Sequence, residues 1–239
     1  MAVRIDEIGF GGLKLLQDTD AYCYGVDSVL LADMCRAGSE DRVLDICSGN
    51  GVVSFIVAAK YGSKSVTGIE IQEASVELAR KSAELNGMQD RVSFVCAEAA
   101  DFSDHFAPWS FDVAVCNPPY FEKGSGVSSE SEAKSIARHE GGSGLADFLG
   151  AASYALRKGG ELYLVHRPER LADIICFARD SGLEPKTMRM VCPCSGKAPN
   201  MVLLRFVKGG KKELTVLPDL MIREQDGSYT EEINRIYGR

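Results

Sequence analysis

From Arg42 onward, apolar runs of strand length alternate with amphipathic segments of helix length, which restricts the chain to a sheet layered with helices. RVLDIC (42–47) reads as a buried strand, 51–60 as a helix, SVTGIE (65–70) as a strand, and 74–85 as a helix closed by Asn86 and Gly87. VSFVCA (92–97) and FDVAVC (111–116) are further strands, the second ended by two prolines. A helix over 145–156 stops at Lys158, Gly159 and Gly160, ELYLVH (161–166) is a strand, and Pro168 opens a helix running to Asp180. Segments 187–192 and 201–207 read as two strands joined by a Pro/Gly loop. The repeated units predict a parallel sheet with helices on both faces, and the final pair predicts an antiparallel edge.

Three stretches break the alternation. Residues 1–40 hold a helix at 28–35; 122–144 is rich in Gly, Ser and charge, either a functional lid or disordered; 213–239 ends in a short helical pattern after Thr230. No linker or repeat divides the chain, so one domain over 1–239 is expected. The longest stretch without an acidic residue, Lys or Arg, 46–59, is too short and polar to span a bilayer, and the start MAVRIDEIGF is unlike a secretory signal. A cytoplasmic location is the default. The eight cysteines are scattered, several inside apolar runs, and are expected to be reduced and mostly buried. A net charge of -7 argues against holding nucleic acid by bulk electrostatics alone. Yet 185–212 carries seven basic residues and no acidic one, either a candidate face for a polyanion or a solubilising set on a hairpin.

Chemistry concentrates after the first buried strand, in Asp45-Ile-Cys-Ser-Gly49-Asn-Gly51 ahead of a helix. Glycines there allow a sharp turn and let a ligand approach main-chain amides at a helix start. The third glycine of a dinucleotide fingerprint is missing, and an acid precedes the turn. Glu70 ends the next strand, where a carboxylate can accept from both ribose hydroxyls of a nucleoside. An acid before the turn suits a cationic amino-acid part better than a pyrophosphate, which describes S-adenosylmethionine. Glu98 and Ala99, after the third strand, are in reach of the same cleft: the acid can accept from an adenine amine and the amide can donate to the ring, although a surface acid on a loop is the plain alternative.

Asn117-Pro118-Pro119-Tyr120 lies at the carboxyl end of the fourth buried strand, where open parallel sheets bind ligands. An exocyclic amine or side-chain amide is a poor nucleophile because its lone pair is delocalised. The Asn117 side-chain oxygen and Pro118 carbonyl can each accept one N–H and hold the nitrogen near tetrahedral, with its lone pair aimed at a sulfonium methyl. The prolines fix the backbone, and Tyr120 offers a face for stacking a planar group.

These motifs resemble those of class I S-adenosylmethionine-dependent methyltransferases of the amino-methylating Asn-Pro-Pro-Tyr type. Tyr24-Gly-Val-Asp27-Ser-Val-Leu-Leu-Ala32, DICSGNG, GIEIQ, NPPYF, Met201-Val-Leu-Leu-Arg-Phe206, Asp226-Gly-Ser-Tyr-Thr-Glu231 and Ile236-Tyr-Gly together resemble the bacterial tRNA(Val) (adenine(37)-N(6))-methyltransferase family along nearly the whole chain. The resemblance implies a Rossmann-like seven-stranded sheet with helices on both faces and an antiparallel edge hairpin, 1–40 as a cofactor-covering extension and 213–239 as a tail. It implies that Asp45, Gly49 and Gly51 line the methionine part of S-adenosylmethionine, Glu70 and Ile71 the ribose side, and Glu98 and Ala99 the adenine. Gly25 and Asp27 would close over the cofactor, while Asn117, Pro118 and Tyr120 present the base and Asn117 also touches the cofactor. The implied partner is tRNA, with Lys134, Arg138 and His139 as candidate RNA contacts; a monomer acting without a membrane or an obligatory protein partner is expected.

Methylation of a protein glutamine amide, or a non-catalytic module binding cofactor or RNA, are the alternatives. Cys192-Pro-Cys194 without a second pair is weak as a metal site, and none is expected. His166 reads as a packed or pocket-edge residue rather than a general base, and Trp109 as a packing residue.

Overall fold

The computed structural model describes residues 3–9, 11–19, 24–120 and 143–238. Strands β1 (Val3–Glu7) and β2 (Lys14–Asp18) pair as an antiparallel hairpin, followed by helix α1 (Val26–Met34). The alternating region gives β3 (Arg42–Ile46), α2 (Val52–Tyr61), β4 (Ser65–Glu70), α3 (Glu73–Leu85), β5 (Val92–Cys96), the single turn α4 (Phe102–His105) and β6 (Phe111–Cys116). It continues with α5 (Leu145–Ala155), β7 (Leu156–His166), α6 (Leu171–Asp180), β8 (Leu183–Cys194) and β9 (Met201–Lys208). The tail adds β10 (Thr215–Val216), β11 (Leu220–Arg223) and α7 (Glu231–Ile236), whose first turn is capped by the Thr230 hydroxyl.

The seven expected strands lie in the order β5-β4-β3-β6-β7-β9-β8, parallel except for β9, and β10 and β11 both pair with the outer edge of β8 to make nine. Side chains of successive residues leave opposite faces of the sheet. Val43, Val113, Val115, Tyr163, Val165 and Leu203 join one buried cluster with α1 and α2, whereas Leu44, Ala114, Leu162, Leu164 and Leu204 join a second with α5 and α6. Two-sided burial explains why these strands read as nearly continuous apolar runs.

Several details depart from the expectations. β7 begins at Leu156, not at 161: Leu156 pairs with Phe111 and Glu161 with Val113, so four β7 residues bulge against Asp112 alone. Gly160 fits because a Cβ there would stand 2.9 Å from the Asp112 and Arg157 carbonyl oxygens. β8 likewise starts before 187, with Pro185 accommodated at a register shift. Trp109, expected to pack, is 65 % exposed. The seven described cysteines are free as expected, but only Cys35, Cys116 and Cys192 are buried; Cys96 is exposed because β5 is an edge strand. The hairpin of residues 3–18 was not expected. It docks on α3, where the Asn86 side chain accepts from Lys14 N at 2.9 Å and donates to Lys14 O, and Ser82 Oγ accepts from Leu16 N at 3.0 Å.

The chain reverses direction of winding between β4 and β6, the two parallel neighbours of β3, and ligands bind at such a switch point. The glycine turn begins there. Gly51 has φ +89°, and a Cβ on it would lie 2.6 Å from the Phe94 ring and 2.9 Å from Phe55; Gly49 has φ +54° with open space beside it. Gly51→Ala is therefore expected to cost roughly 2–4 kcal/mol in urea denaturation and Gly49→Ala only about 1 kcal/mol. Equal losses would contradict the packing assigned to Gly51.

Candidate active site

The turn after β3 enters the left-handed region at Cys47 (φ +61°), Gly49 and Gly51, so the backbone doubles back above the ends of β3 and β4. Glu70 ends β4 beside it. Its Oε2 accepts from Gly49 N at 3.0 Å and its Oε1 from Gln72 N at 3.0 Å, which fixes the carboxylate with both oxygens still able to accept. In front lies a cleft of about 390 Å³ that brings together Glu70, Ile71, Glu98 and Ala99 with Cys47, Pro119, Ser143 and Phe148. Glu98 accepts from Ser143 Oγ at 3.2 Å, and Ser143 Oγ in turn accepts from Ala100 N at 2.9 Å. Ser143 and Phe148 were missed in the sequence: they lie at and just beyond the end of the Gly-, Ser- and charge-rich segment 122–144, and no local pattern points them at Glu98.

Asp45 is buried beneath the turn rather than on the cleft wall. Its Oδ2 accepts from Ser54 Oγ at 2.7 Å, while Oδ1 is buried with no partner among the described residues. Burial, with Glu70 adding repulsion, pushes its pKa up to about 7 against the opposing bonds from Ser54. A buried unpaired carboxylate oxygen beside a turn with open space at Gly49 fits a ligand carrying a cationic group, such as the ammonium of S-adenosylmethionine.

Across the switch point, β6 delivers the second motif. Ile46 pairs with Cys116, so the glycine turn and Asn117 leave adjacent strands on the same edge of the sheet. Pro118 is buried and Pro119 lines the cleft, so the kink faces the hollow that Glu70 borders. Asn117 Nδ2 donates to Ser28 Oγ at 3.1 Å and Asp27 Oδ2 at 3.3 Å. Tyr120 Oη stands 2.8 Å from Asp27 Oδ2 and 3.0 Å from Asn117 Oδ1. Gly25 is the residue before α1, and the first turn of that helix carries Asp27 to the kink. His166, 2 % exposed, meets the Tyr120 ring edge-on at 5.3 Å. Burial lowers its pKa to about 4, helped by Arg170, and its Nδ1 accepts from Arg167 N at 2.8 Å. It is a neutral packed residue, as expected. The Arg167 guanidinium lies 5.7 Å from the centroid of the Tyr120 ring.

The basic run does not form one face. Because β8 and β9 are antiparallel, Lys186 and Lys208 lie near the Leu183 end of the pair, and Lys197 lies in the turn at the opposite end, where His166 pairs with Val202. Arg189 makes a two-pronged ion pair with Glu232 at 2.8 and 2.9 Å, Arg205 pairs with Glu161 at 2.5 Å, and Lys208 donates to the Leu156 carbonyl at 2.8 Å. Lys134, Arg138 and His139 lie outside the described residues, as does most of 122–144. Cys192 Sγ is 4.0 Å from Asp219, and no group of three possible metal ligands gathers among the described residues. No helix of the described residues is long and apolar enough to cross a membrane.

A family model for the methyltransferase small domain matches residues 20–173. The tRNA1(Val) (adenine(37)-N6)-methyltransferase of Aeromonas hydrophila is 30 % identical over 215 residues, covering 90 % of this chain and 88 % of that protein. The enzyme of the same name from Tolumonas auensis is 28 % identical over 217 residues, with the same coverage. Among solved structures, a predicted O-methyltransferase from Agrobacterium tumefaciens superposes with a TM-score of 0.72 at 22 % identity, covering 89 % of this chain and 95 % of that one. Geranyl diphosphate C-methyltransferase from Streptomyces coelicolor, solved with S-adenosyl-L-homocysteine, gives 0.56 at 14 % identity, covering 77 % of each chain. With its sheet order, its glycine turn and its Asn-Pro-Pro-Tyr kink on one edge, the chain belongs to the methyltransferase small domain family and, within it, to the tRNA1(Val) (adenine(37)-N6)-methyltransferases.

Proposed function

We propose that this protein transfers a methyl group from S-adenosylmethionine to the exocyclic N6 amine of adenine 37 in the anticodon loop of a valine tRNA. The observation that carries the reading is the shared edge: Pro119 of the kink lines the same cleft as Glu70 and Glu98. Bound S-adenosylmethionine supplies an electrophilic methyl on a sulfonium. Glu70 accepts from ribose hydroxyls, Ile71 packs beside them, and Glu98 with the Ala99 amide reads the adenine. Asp45, beneath the turn, would meet the ammonium through its unpaired Oδ1, and Gly49 leaves room for the methionine part, whereas Gly51 packs against Phe94 and Phe55 and shapes the turn from below.

Asn117 Oδ1 and the Pro118 carbonyl accept the two N–H groups of the target amine and turn its lone pair out of the ring plane. Tyr120 stacks on the base, with Arg167 behind its ring. The adenine must leave its stack to reach this position, at a cost of roughly a few kcal/mol that is lower in a loop than in a duplex. The alkylated nitrogen is far more acidic than an alkylammonium, so its proton leaves without a strong base. We place the protein in the cytoplasm, where its substrate is, and read it as a monomer.

Incubation with labelled S-adenosylmethionine and unmodified tRNA is expected to place label in N6-methyladenosine at position 37; label in methylglutamine of an added release factor, or none at all, overturns the reading. Asn117→Ala should lower kcat on the order of 100-fold or more while the cofactor Kd stays within a few fold. Asp45 must be ionised to pair with an ammonium. Cofactor affinity is therefore expected to rise on the order of tenfold between pH 5.5 and 7 by calorimetry and to level off above the pKa. In Asp45→Asn it should be weaker and flat, and a pH-independent wild type would remove Asp45 from this role. Lys197→Glu should weaken tRNA binding in a filter assay more than the paired change Lys211→Glu and Lys212→Glu, since only Lys197 lies on the site edge. The reverse order would move the RNA to the other end of the sheet.

A further inference from the structure

Asn117 serves the target amine only if its oxygen, not its NH2, faces outward, and nothing in the four residues of the kink decides that orientation. The surroundings do. Asp27 sits buried in the first turn of α1, and Asp27 Oδ1 is taken by Ser28 N at 2.8 Å. Its Oδ2 faces the side-chain amide of Asn117 at 3.3 Å, with Ser28 Oγ at 3.1 Å from the same nitrogen. A carboxylate only accepts, so the group it faces must be the NH2, and Oδ1 is left on the other side.

Tyr120 raises the same question a second time. Its hydroxyl has one proton, and among the described contacts it stands 2.8 Å from Asp27 Oδ2 and 3.0 Å from Asn117 Oδ1. The carboxylate is the stronger and nearer acceptor, so it draws the hydroxyl proton and leaves the amide lone pairs for an incoming N–H. One carboxylate oxygen thus removes both donors that would otherwise spoil Asn117 as an acceptor.

We propose that Asp27, assisted by Ser28, is a positioning residue for methyl transfer: it orients the Asn117 amide and takes the Tyr120 proton, rather than holding the cofactor. The proposal rests on the amino-methylating reading above. It differs from the role that family resemblance assigns to Asp27, closing over the cofactor, and the two separate cleanly by experiment.

Asp27→Asn offers an NH2 to Asn117 in place of an acceptor, so the two amides compete and Asn117 turns its NH2 outward. The expected result is a kcat at least 100-fold lower at saturating tRNA and S-adenosylmethionine, with the cofactor Kd and the tRNA KM within about threefold. Ser28→Ala, which removes one acceptor, should lower kcat by about 3–10-fold. The double variant Asp27→Asn with Asn117→Asp reverses the polarity: the new amide donates to the new carboxylate, which still presents an oxygen to the amine. It should recover at least tenfold over Asp27→Asn alone, whereas loss of a purely structural contact would leave the double no better than the single. A cofactor Kd raised tenfold with kcat unchanged, or a double no more active than Asp27→Asn, overturns the proposal while leaving the methyltransferase reading intact. A wild-type protein that methylates no amine overturns both.

Discussion

Everything at the site depends on β3 and β6 lying side by side and parallel. One strand ends in the glycine turn and the other in the Asn-Pro-Pro kink, and their pairing at Ile46 and Cys116 fixes where the two begin relative to each other. Neither motif has this relation by itself. The turn could cradle many ligands and the kink could end many strands; only the register sets the kink, through Pro119, at a cleft bordered by carboxylates. The apolar faces of β3 and β6, buried between α1 and α2 on one side and α5 and α6 on the other, hold that register, because a slip of one residue would exchange the faces.

Three acids at this edge show how partners, not residue type, decide what a carboxylate does. Glu70 is held by two main-chain amides and stays in place as an acceptor at the cleft. Asp45 has one hydroxyl for a partner and a buried orphan oxygen, so its charge is costly and its pKa rises toward neutrality. A group in that state gains most from an incoming cation, and it makes the turn less stable as pH rises from about 4 to 7, the window between its unfolded and folded pKa. Asp27 is used up by the chain itself, between a helix terminus, an amide and a phenol.

The order of strands and helices from Arg42 to Lys208 was legible because burial on both faces and amphipathic helix stripes leave a strong periodic trace. What was not legible has identifiable causes. The hairpin of residues 3–18 is held by side chains of α3, Ser82 and Asn86, more than sixty residues away, and its outer strand is exposed, so no local pattern marks it. β10 and β11 are short and add to an edge, which needs only backbone groups. At the site, Glu70, Ile71, Glu98 and Ala99 met at one cleft as read from strand ends, since parallel neighbours bring those ends together. The contacts of Asp27 could not be read, because α1 precedes the sheet and its approach to Asn117 is set by tertiary packing across ninety positions.

Strand direction also decides where the basic residues of 185–212 lie relative to the site. A net charge of -7 repels RNA at long range, but beyond roughly 8 Å at physiological salt that repulsion is screened, and only charges close to the docked backbone count. A count along the chain puts the cations in one block. The antiparallel turn of β8 into β9 instead sends Lys186 and Lys208 to the end far from the kink, ties Arg189 and Arg205 to acids, and leaves Lys197 on the site edge with Arg167, which follows β7. A base that enters the cleft from a loop needs few such charges, whereas a duplex lying along the surface would need a row of them that the β8–β9 pair does not supply.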